Sequence, residues 1–191
     1  YGIWKNPKTI DLNRLPDKFV LKCNHDSGSV VKIKSKEVCN ADEIIEYFEK
    51  RISIPFGIIS AEPHYLGIDR LVIAEEYVEN TLDFSDSLVD YKFWSFNGIT
   101  EYCLVCYNTT NWNNKKSGIF EVKSWKLKKE KMQNHMKFPT VDIPKPACLH
   151  EMLEIVFCLT KDFPQCRVDL YESNDKVYFG ELTFTSGSGR I

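Results

Sequence analysis

The stretch QCRVDLYESNDKVYFGELTFTSGSG, residues 165–189, decides how the chain folds. Residues 166–171 alternate between polar and apolar side chains, residues 173–175 are the turn formers Ser, Asn and Asp, and residues 176–184 return in an extended pattern. Alternation on both sides of a short polar turn is typical of a β-hairpin. We therefore expect two antiparallel strands here.

Each predicted strand carries one carboxylate. A loop with an odd number of residues, centred on Asn174, would place Arg167 opposite Glu181, with Asp169 on the same face one diagonal step away. Diagonal neighbours in a sheet are about 7–8 Å apart. Two carboxylates leaning inward over that distance could hold one hard cation. Arg167 would hold an anion beside the cation, and Thr183 would add an oxygen, which is the layout of a magnesium–nucleotide site.

A solvated hairpin is the alternative explanation, because Asp and Glu in such places are usually hydrated or paired with a base such as Arg167. The apolar neighbours favour a buried sheet instead, on which a carboxylate needs a partner. These neighbours are Val168, Leu170, Phe179, Leu182 and Phe184.

Composition limits the classes of protein to consider. The 191 residues suffice for one domain or two small lobes. The net charge of −2 gives no electrostatic case for a nucleic-acid partner, and 43% hydrophobic residues fit an ordered globular chain. No apolar run approaches the roughly 18 residues of a membrane helix, and no signal peptide is recognised. We expect a cytoplasmic protein without a transmembrane segment.

The seven cysteines do not form a metal or disulfide pattern. Cys103 and Cys106 form a CxxC, but they lie in a predicted strand (residues 99–107), where positions i and i+3 point to opposite faces. No second CxxC and no pair of His residues at ligand spacing accompanies them, which argues against zinc. Reduced thiols of a cytosolic protein are the simplest interpretation.

Near the N-terminus we expect a strand over residues 19–22, a flexible turn around Gly28 over residues 24–29, and a strand over residues 30–34. Glycine and small hydroxyl residues let backbone amides approach phosphate oxygens, and Lys22 could add a positive charge. P-loop and Rossmann fingerprints are absent. An ordinary hairpin with a solvated lysine explains the same pattern, and we interpret His25 as a polar loop residue rather than a catalytic base.

The rest of the chain supplies a mixture of helices and strands. Helices are expected over residues 40–51, with Asn40 as the N-cap, and over residues 148–159. Strands are expected over residues 71–78, 88–97, 99–107 and 118–125, whereas residues 56–67 are expected to be irregular.

Two strands in this order carry further candidates for a nucleotide site. Backbone groups after the strand LVIAEEYV could contact an adenine edge, and Glu75 or Glu76 could accept from a ribose hydroxyl, although exposed charges at a strand end are a commoner explanation. Lys92 shares a strand face with Asp90 and Trp94, so that it could point inward. The fold class is therefore α+β, with two small lobes (residues 1–78 and 79–191) and a nucleotide cleft between them.

Five phrases in this order, LPDKFVLKCNHDSG, IAEEYV, DYKFWSFNG, RVDLY and FGELTFTSGSG, resemble the ATP-grasp superfamily. They resemble closely its TupA-like branch, which is associated with teichuronopeptide and capsular or other surface-polysaccharide biosynthesis. Each phrase alone is a weak signal, but five in order over nearly the whole chain are specific. The resemblance implies an ATP-grasp fold that binds ATP and Mg²⁺.

The resemblance also implies roles for particular residues. Lys22 and the loop residues would cover the ATP phosphates, a hinge segment would hold adenine and ribose, and Lys92 would be a basic residue facing the nucleotide. The loop residues are Asn24, Ser27, Gly28 and Ser29, and the hinge residues are Glu75, Glu76, Tyr77 and Val78.

In the same way, Asp169 and Glu181 match the magnesium ligands, and Arg167 matches an arginine near the γ-phosphate. Many ATP-grasp ligases carry E-x-N at the last metal ligand, whereas this chain has Glu181-Leu182-Thr183. A hydroxyl is a weaker ligand than an amide carbonyl, so this departure weakens the case for a second metal position at Thr183.

By resemblance, the expected activity is that of a carboxylate–amine ligase that forms an acylphosphate with ATP, with Lys92 and Arg167 offsetting charge on the transferred group. The substrates would be a small or glycan-linked carboxylate and an amine, such as an amino acid joined to a surface polysaccharide. Two alternatives stay open, a kinase acting on a sugar or polyol hydroxyl and a non-catalytic module that binds Mg-ATP. The family normally has chain before and after this region, so we expect an excerpt or a minimal version.

Overall fold

The chain divides into two units, Tyr1–Tyr77 and Val78–Ile191. The structure, a computed structural model, describes residues 1–60, 62–111, 113–133 and 136–186. The last three residues of the phrase FGELTFTSGSG, residues 187–189, therefore lie outside the described residues.

The first unit is built on an antiparallel sheet of four strands in the order β1-β4-β2-β3. The strands are β1 (Gly2–Trp4), β2 (Phe19–Cys23), β3 (Val30–Ile33) and β4 (Val72–Glu76). Helix α1 (Ala41–Ser53) contributes Ile44 and Phe48 to the core of this unit, where they meet Phe19, Leu21 and Val72. Three short 3-10 helices (Pro7–Thr9, Leu12–Arg14 and Lys36–Val38) lie before α1, and two further short helices follow it.

Helix α1 begins where the sequence predicts. The side chain of Asn40 accepts hydrogen bonds from the backbone N–H groups of Asp42 (3.1 Å) and Glu43 (3.4 Å), which is N-capping. The helix ends at Ser53, shortly before Pro55. Local capping chemistry therefore determines both ends.

One local expectation is wrong in this unit. The segment 56–67 is not irregular, because it contains α2 (Phe56–Ile59) and a 3-10 helix (Pro63–Gly67). The sequence analysis also identified no strand before residue 19, whereas the structure has β1 there, which pairs with β4 from a distant part of the chain. A three-residue strand draws its stability from this distant partner, so its own sequence carries little signal.

The second unit is built on an antiparallel sheet of six strands in the order β10-β9-β5-β6-β7-β8. The strands are β5 (Asp90–Phe96), β6 (Ile99–Tyr107), β7 (Lys116–Glu121), β8 (Lys126–Leu127), β9 (Cys166–Ser173) and β10 (Lys176–Thr183). Helix α3 (Leu149–Thr160) lies against this sheet, and a 3-10 helix (Lys129–Lys131) follows β8. The α+β class expected from the sequence is confirmed.

The two faces of the larger sheet differ in chemistry because successive side chains of a strand alternate. One face contributes Tyr91, Phe93, Val168 and Leu170 to a core shared with Met152 of α3. The residues between them, among them Lys92 and Asp169, lie on the opposite face and pair directly across β5 and β9. The core thus fixes the positions of the polar residues.

The register of the β9–β10 hairpin differs from the sequence prediction. The turn has two residues, Asn174 and Asp175, both with positive φ (51° and 56°), as in the twisted turns that join hairpin strands. An irregularity between Phe179 and Glu181 then shifts the pairing by one residue. Arg167 is consequently opposite Thr183, and Asp169 is directly opposite Glu181 rather than diagonal to it.

The CxxC pair behaves as the strand geometry predicts. Cys103 faces the core that includes residues of α3, whereas Cys106 lies on the opposite face of β6. Both are free and buried. In the described part of the chain, no helix is long and apolar enough to cross a membrane.

Candidate active site

A cluster of charged side chains lies on the polar face of the larger sheet. At its centre Lys92 on β5 pairs with Asp169 on β9, and the Lys92 Nζ lies 3.7 Å from the carboxylate of Asp90. Burial lowers the pKa of Lys92, but attraction to Asp169 and Asp90 outweighs it, so this pKa lies above its ordinary value of 10.5. Lys92 is therefore a charged ammonium at neutral pH.

Arg167 joins the two carboxylates on neighbouring strands. Its Nε and Nη2 donate to the two oxygens of Asp169 at 2.6 and 2.8 Å, and Nη2 also lies 2.7 Å from Glu181 Oε1. The same guanidinium donates to the hydroxyls of Thr183 (3.0 Å) and Ser186 (2.9 Å). One planar cation thus holds acceptors from β9, β10 and the segment after β10.

The two carboxylates have opposite pKa shifts. Burial raises the pKa of Asp169, which is only 1% exposed, but Lys92 and Arg167 more than offset this and hold it below its ordinary value of 3.8. Burial of the carboxylate and repulsion from Asp169 raise the pKa of Glu181 above 4.5, although 55% of the Glu181 side chain remains exposed. Asp169 is therefore the more fully neutralised of the two carboxylates, and Glu181 is the less neutralised one.

The donor atoms of this cluster suit a hard divalent cation. Asp169 and Glu181 lie opposite each other with Thr183 two residues farther along β10, and all three present oxygen. Mg²⁺ prefers oxygen ligands and usually takes only one or two carboxylates from a protein, with phosphates and water completing its shell. Within the described residues no group of three His, Cys, Asp or Glu side chains is placed to hold a metal.

Three residues near the cluster were not assigned to the site from the sequence. Asp90 lies 3.7 Å from the Lys92 Nζ, and burial together with the negative charge of Asp90 raises the pKa of Tyr171 above its ordinary value of 10.0. Ser186 accepts from Arg167 and from Trp94 Nε1 (3.4 Å). The sequence spacing could have identified two of them, because residues two apart on a strand share a face, which puts Asp90 beside Lys92 and Tyr171 beside Asp169.

In the first unit, two of the predicted nucleotide contacts pair with each other. The Lys22 Nζ on β2 lies 2.7 Å from Glu75 Oε2 on β4, on the sheet face opposite the core. Glu76 is exposed at the end of β4, Tyr77 is the last residue of this unit, and Val78 is the first of the next.

The loop after β2 is held by contacts within the unit. The Asn24 side chain donates to the Asp69 carbonyl (2.9 Å) and accepts from the Leu71 N–H (2.8 Å). Ser29 is buried and donates to the Asp26 carboxylate. The side chains of Asn24 and Ser29 are therefore engaged within the protein, whereas Ser27 and Gly28 are exposed, with Gly28 at φ 87°.

An ion pair that the sequence did not indicate anchors this loop to α1. Arg51 donates through Nη2 (2.6 Å) and Nε (3.0 Å) to Asp26, whose side chain is completely buried. His25 beside it lies in this loop, as expected, but it is buried, and burial lowers its pKa from 6.5. The separation of Arg51 and Asp26 along the chain left no local signal for the pair.

The profile of a protein family described as TupA-like ATPgrasp matches residues 1–191. The chain belongs to this family. The match covers every phrase on which the resemblance rested, and no curated protein matches the sequence.

Solved structures agree with the ATP-grasp fold. D-alanine–D-alanine ligase from Bacillus anthracis matches with a TM-score of 0.50 and 16% identity, over 98% of this chain and 50% of the other. The ATP-grasp ligase PsnB, complexed with a phosphomimetic precursor variant, Mg and ADP, matches with a TM-score of 0.47 and 10% identity, over 99% and 47%. The chain thus spans about half the length of these proteins. At 16% identity, the similarity to the D-alanine–D-alanine ligase shows the fold alone.

Proposed function

We propose that the chain is the ATP-binding part of a carboxylate–amine ligase. The observation that carries this proposal is the cluster of Lys92, Arg167, Asp169 and Glu181 on one sheet face of an ATP-grasp family member. Two cations beside two hard carboxylates suit a nucleotide polyphosphate and its metal. D-Alanine–D-alanine ligase, which shares the fold, is by its name such a ligase.

Asp169 and Glu181 would hold Mg²⁺ together with ATP, and Thr183 would contribute its hydroxyl. The ion would neutralise phosphate charge in the transferred group. The carboxylates suit this role because they face each other across neighbouring strands and already share a cation. Their strands are fixed by the core on the other side of the sheet, which keeps the ligands in place.

Lys92 and Arg167 would contact phosphate oxygens. Both side chains are mostly shielded from solvent, with 17% and 14% exposed, so their charges are less screened than those of surface residues. They would stabilise the negative charge that develops during phosphoryl transfer.

In the first unit we propose that phosphate contacts come from Lys22 and from the exposed tip at Ser27 and Gly28. The side chains of Asn24 and Ser29 would shape the loop rather than contact the nucleotide, since both already have protein partners. Adenine and ribose would contact the segment that contains Glu75, Glu76, Tyr77 and Val78.

The reaction balances without a nucleophile from the protein. A substrate carboxylate oxygen attacks the γ-phosphorus, and ADP leaves. The substrate amine then attacks the acylphosphate carbon, phosphate leaves, and the nitrogen loses a proton. Cys103 and Cys106 need not act as nucleophiles in this reaction. Burial raises the pKa of both side chains and keeps them as thiols at neutral pH.

The substrates we propose are an amino acid and a carboxylate of a surface or capsular polysaccharide precursor, such as a uronic acid. This finer assignment rests on the TupA-like family alone.

A coupled assay of ADP release tests the chemistry. With Mg-ATP, a mixture of uronic acids and a mixture of amino acids, we expect ADP formation that requires both mixtures, and Arg167→Lys should slow it because the two-pronged contact is lost. ADP formed with sugars or polyols in the absence of any amine would instead indicate a kinase. Binding of Mg-ATP without turnover, in a chain extended to the length of the solved relatives, would indicate a non-catalytic module.

A further inference from the structure

Both carboxylates proposed as metal ligands are paired with cations of the chain itself. One carboxylate oxygen of Asp169 contacts the Lys92 ammonium, and both of its oxygens accept hydrogen bonds from Arg167. Glu181 receives Arg167 at 2.7 Å. A metal approaching these oxygens would meet two positive side chains at contact distance.

The charges within the cluster are nearly balanced. Three carboxylates (Asp90, Asp169 and Glu181) surround two cations (Lys92 and Arg167), which leaves one net negative charge. A divalent ion beside Asp169 would lie within a few ångströms of the Lys92 ammonium, where like charges repel strongly in a partly buried site. The free cluster is therefore a poor metal site.

A triphosphate would change this balance by supplying new anions to Lys92 and Arg167. Asp90 lies 3.7 Å from the Lys92 ammonium, two residues away on the same strand and on the same face of the sheet. It would keep Lys92 on this face when Lys92 leaves Asp169. Asp169 and Glu181 would then be open to the metal.

We propose that Lys92 is a built-in counter-ion that closes the metal site until a nucleotide is bound. This inference rests on the proposed function and adds an order of binding to it. The divalent ion binds together with the nucleotide or after it, and never before it. Removal of the Lys92 charge should therefore open the metal site in the absence of any nucleotide.

Titration with Mn²⁺ alone, followed by calorimetry and by the electron paramagnetic resonance signal of free Mn²⁺, tests this. We expect no saturable binding by the parent chain and binding at least about tenfold tighter by Lys92→Met, because the removed charge lies at contact distance from the ligands. Lys92→Gln, which keeps a hydrogen-bond donor for Asp169, should also gain the site and serves if Lys92→Met does not fold.

The matched control is Lys50→Met, which removes the same charge from an exposed pair with Glu46 on α1. It should gain no Mn²⁺ site, and Lys92→Arg should behave as the parent chain. Adding Glu181→Gln to Lys92→Met should remove the gained site, which locates it.

Two results would overturn the proposal. One is Mn²⁺ binding by the free parent chain as tight as by Lys92→Met, and the other is the absence of any gain in folded Lys92→Met and Lys92→Gln. Titration of the parent chain with ATP separates this failure from that of the proposed function. If the parent chain does not bind ATP, the proposed function is contradicted. If the parent chain binds ATP but the Lys92 variants bind Mn²⁺ no better than it does, only the role of Lys92 is contradicted.

Discussion

Asp169 is almost inaccessible to solvent, and its carboxylate is nevertheless ionised because Lys92 and Arg167 hold it from two sides. At neutral pH we expect Asp169→Asn to lower the free energy of unfolding by about 3 kcal/mol, since breaking a buried ion pair leaves its partner charge uncompensated. Denaturant titration measures this difference. Asp69→Asn, in an exposed pair with Lys5, should change it by less than about 1 kcal/mol.

The same pair gives a prediction on pH. The pKa of Asp169 in the folded protein lies below its ordinary value of 3.8, so its stabilisation is present above that value and is lost as the pH falls through the lowered pKa. The difference in unfolding free energy between the parent chain and Asp169→Asn should therefore shrink at pH values below 3.8. A difference that stays constant down to the acid transition would contradict the pairing.

Gly180 lies where the register of the hairpin shifts. A Cβ at this position would lie 2.8 Å from Tyr171 Cε2 and 2.9 Å from the backbone oxygen of Asp169. We expect Gly180→Ala to destabilise the protein by about 1–3 kcal/mol, since the backbone oxygen cannot move aside cheaply. Thermal unfolding measures this, with Gly67→Ala as the control, because nothing lies within 4 Å of a Cβ there.

At the scale of single residues, the sequence predicted the members of the charged cluster better than their contacts. Alternation along a strand put Asp90 and Lys92 on one face, and Asp169 with Arg167 on another strand. Which strands are neighbours, and therefore that Lys92 meets Asp169, depends on the pairing of β5 with β9 across most of the second unit. No local pattern carries that information.

Among the elements, the β9–β10 hairpin shows where sequence reasoning stops. Both strands and the turn region could be predicted from alternation and turn residues. The register could not be predicted. It depends on a two-residue turn with two positive φ angles and on an extra residue near Gly180, and the glycine and polar residues at these places are compatible with more than one register. The carboxylates nevertheless share a face, since both changes together preserve the alternation.

The loop between β2 and β3 depends on a side chain from α1. Removing both charges of its anchor, with Asp26→Asn and Arg51→Met together, should loosen the loop without leaving a buried charge. We expect faster hydrogen exchange at the amides of Cys23 and Val30, which donate to Ser29 and Gly28, while those of α3 stay unchanged.

The same double variant should bind ATP about tenfold more weakly, because the loop must then be ordered on binding. Arg14→Met, which removes an exposed pair with Asp11, is the control and should change neither exchange nor affinity. Unchanged ATP affinity in a variant whose loop exchanges faster would contradict the assignment of this loop to the phosphates.

For the whole molecule, the α+β class followed from the order of the predicted helices and strands, and the family followed from five short phrases that resemble it in the same order. The fold places the charged phrases DYKFW, RVDLY and FGELT on adjacent strands β5, β9 and β10. Long-range strand pairing accomplishes this, and it brings residues that are far apart in the chain onto neighbouring strands.

We propose that the chain binds ATP through Asp169 and Glu181 with a divalent ion. Calorimetric titration with ATP, with and without Mg²⁺, on the parent chain, Asp169→Asn, Glu181→Gln and the exposed control Glu46→Gln tests it most directly. We predict tighter binding with Mg²⁺ for the parent chain and Glu46→Gln, and loss of this Mg²⁺ dependence in both folded site variants. Equal ATP affinity with and without Mg²⁺ in the parent chain, or an undiminished Mg²⁺ effect in both variants, would contradict the claim.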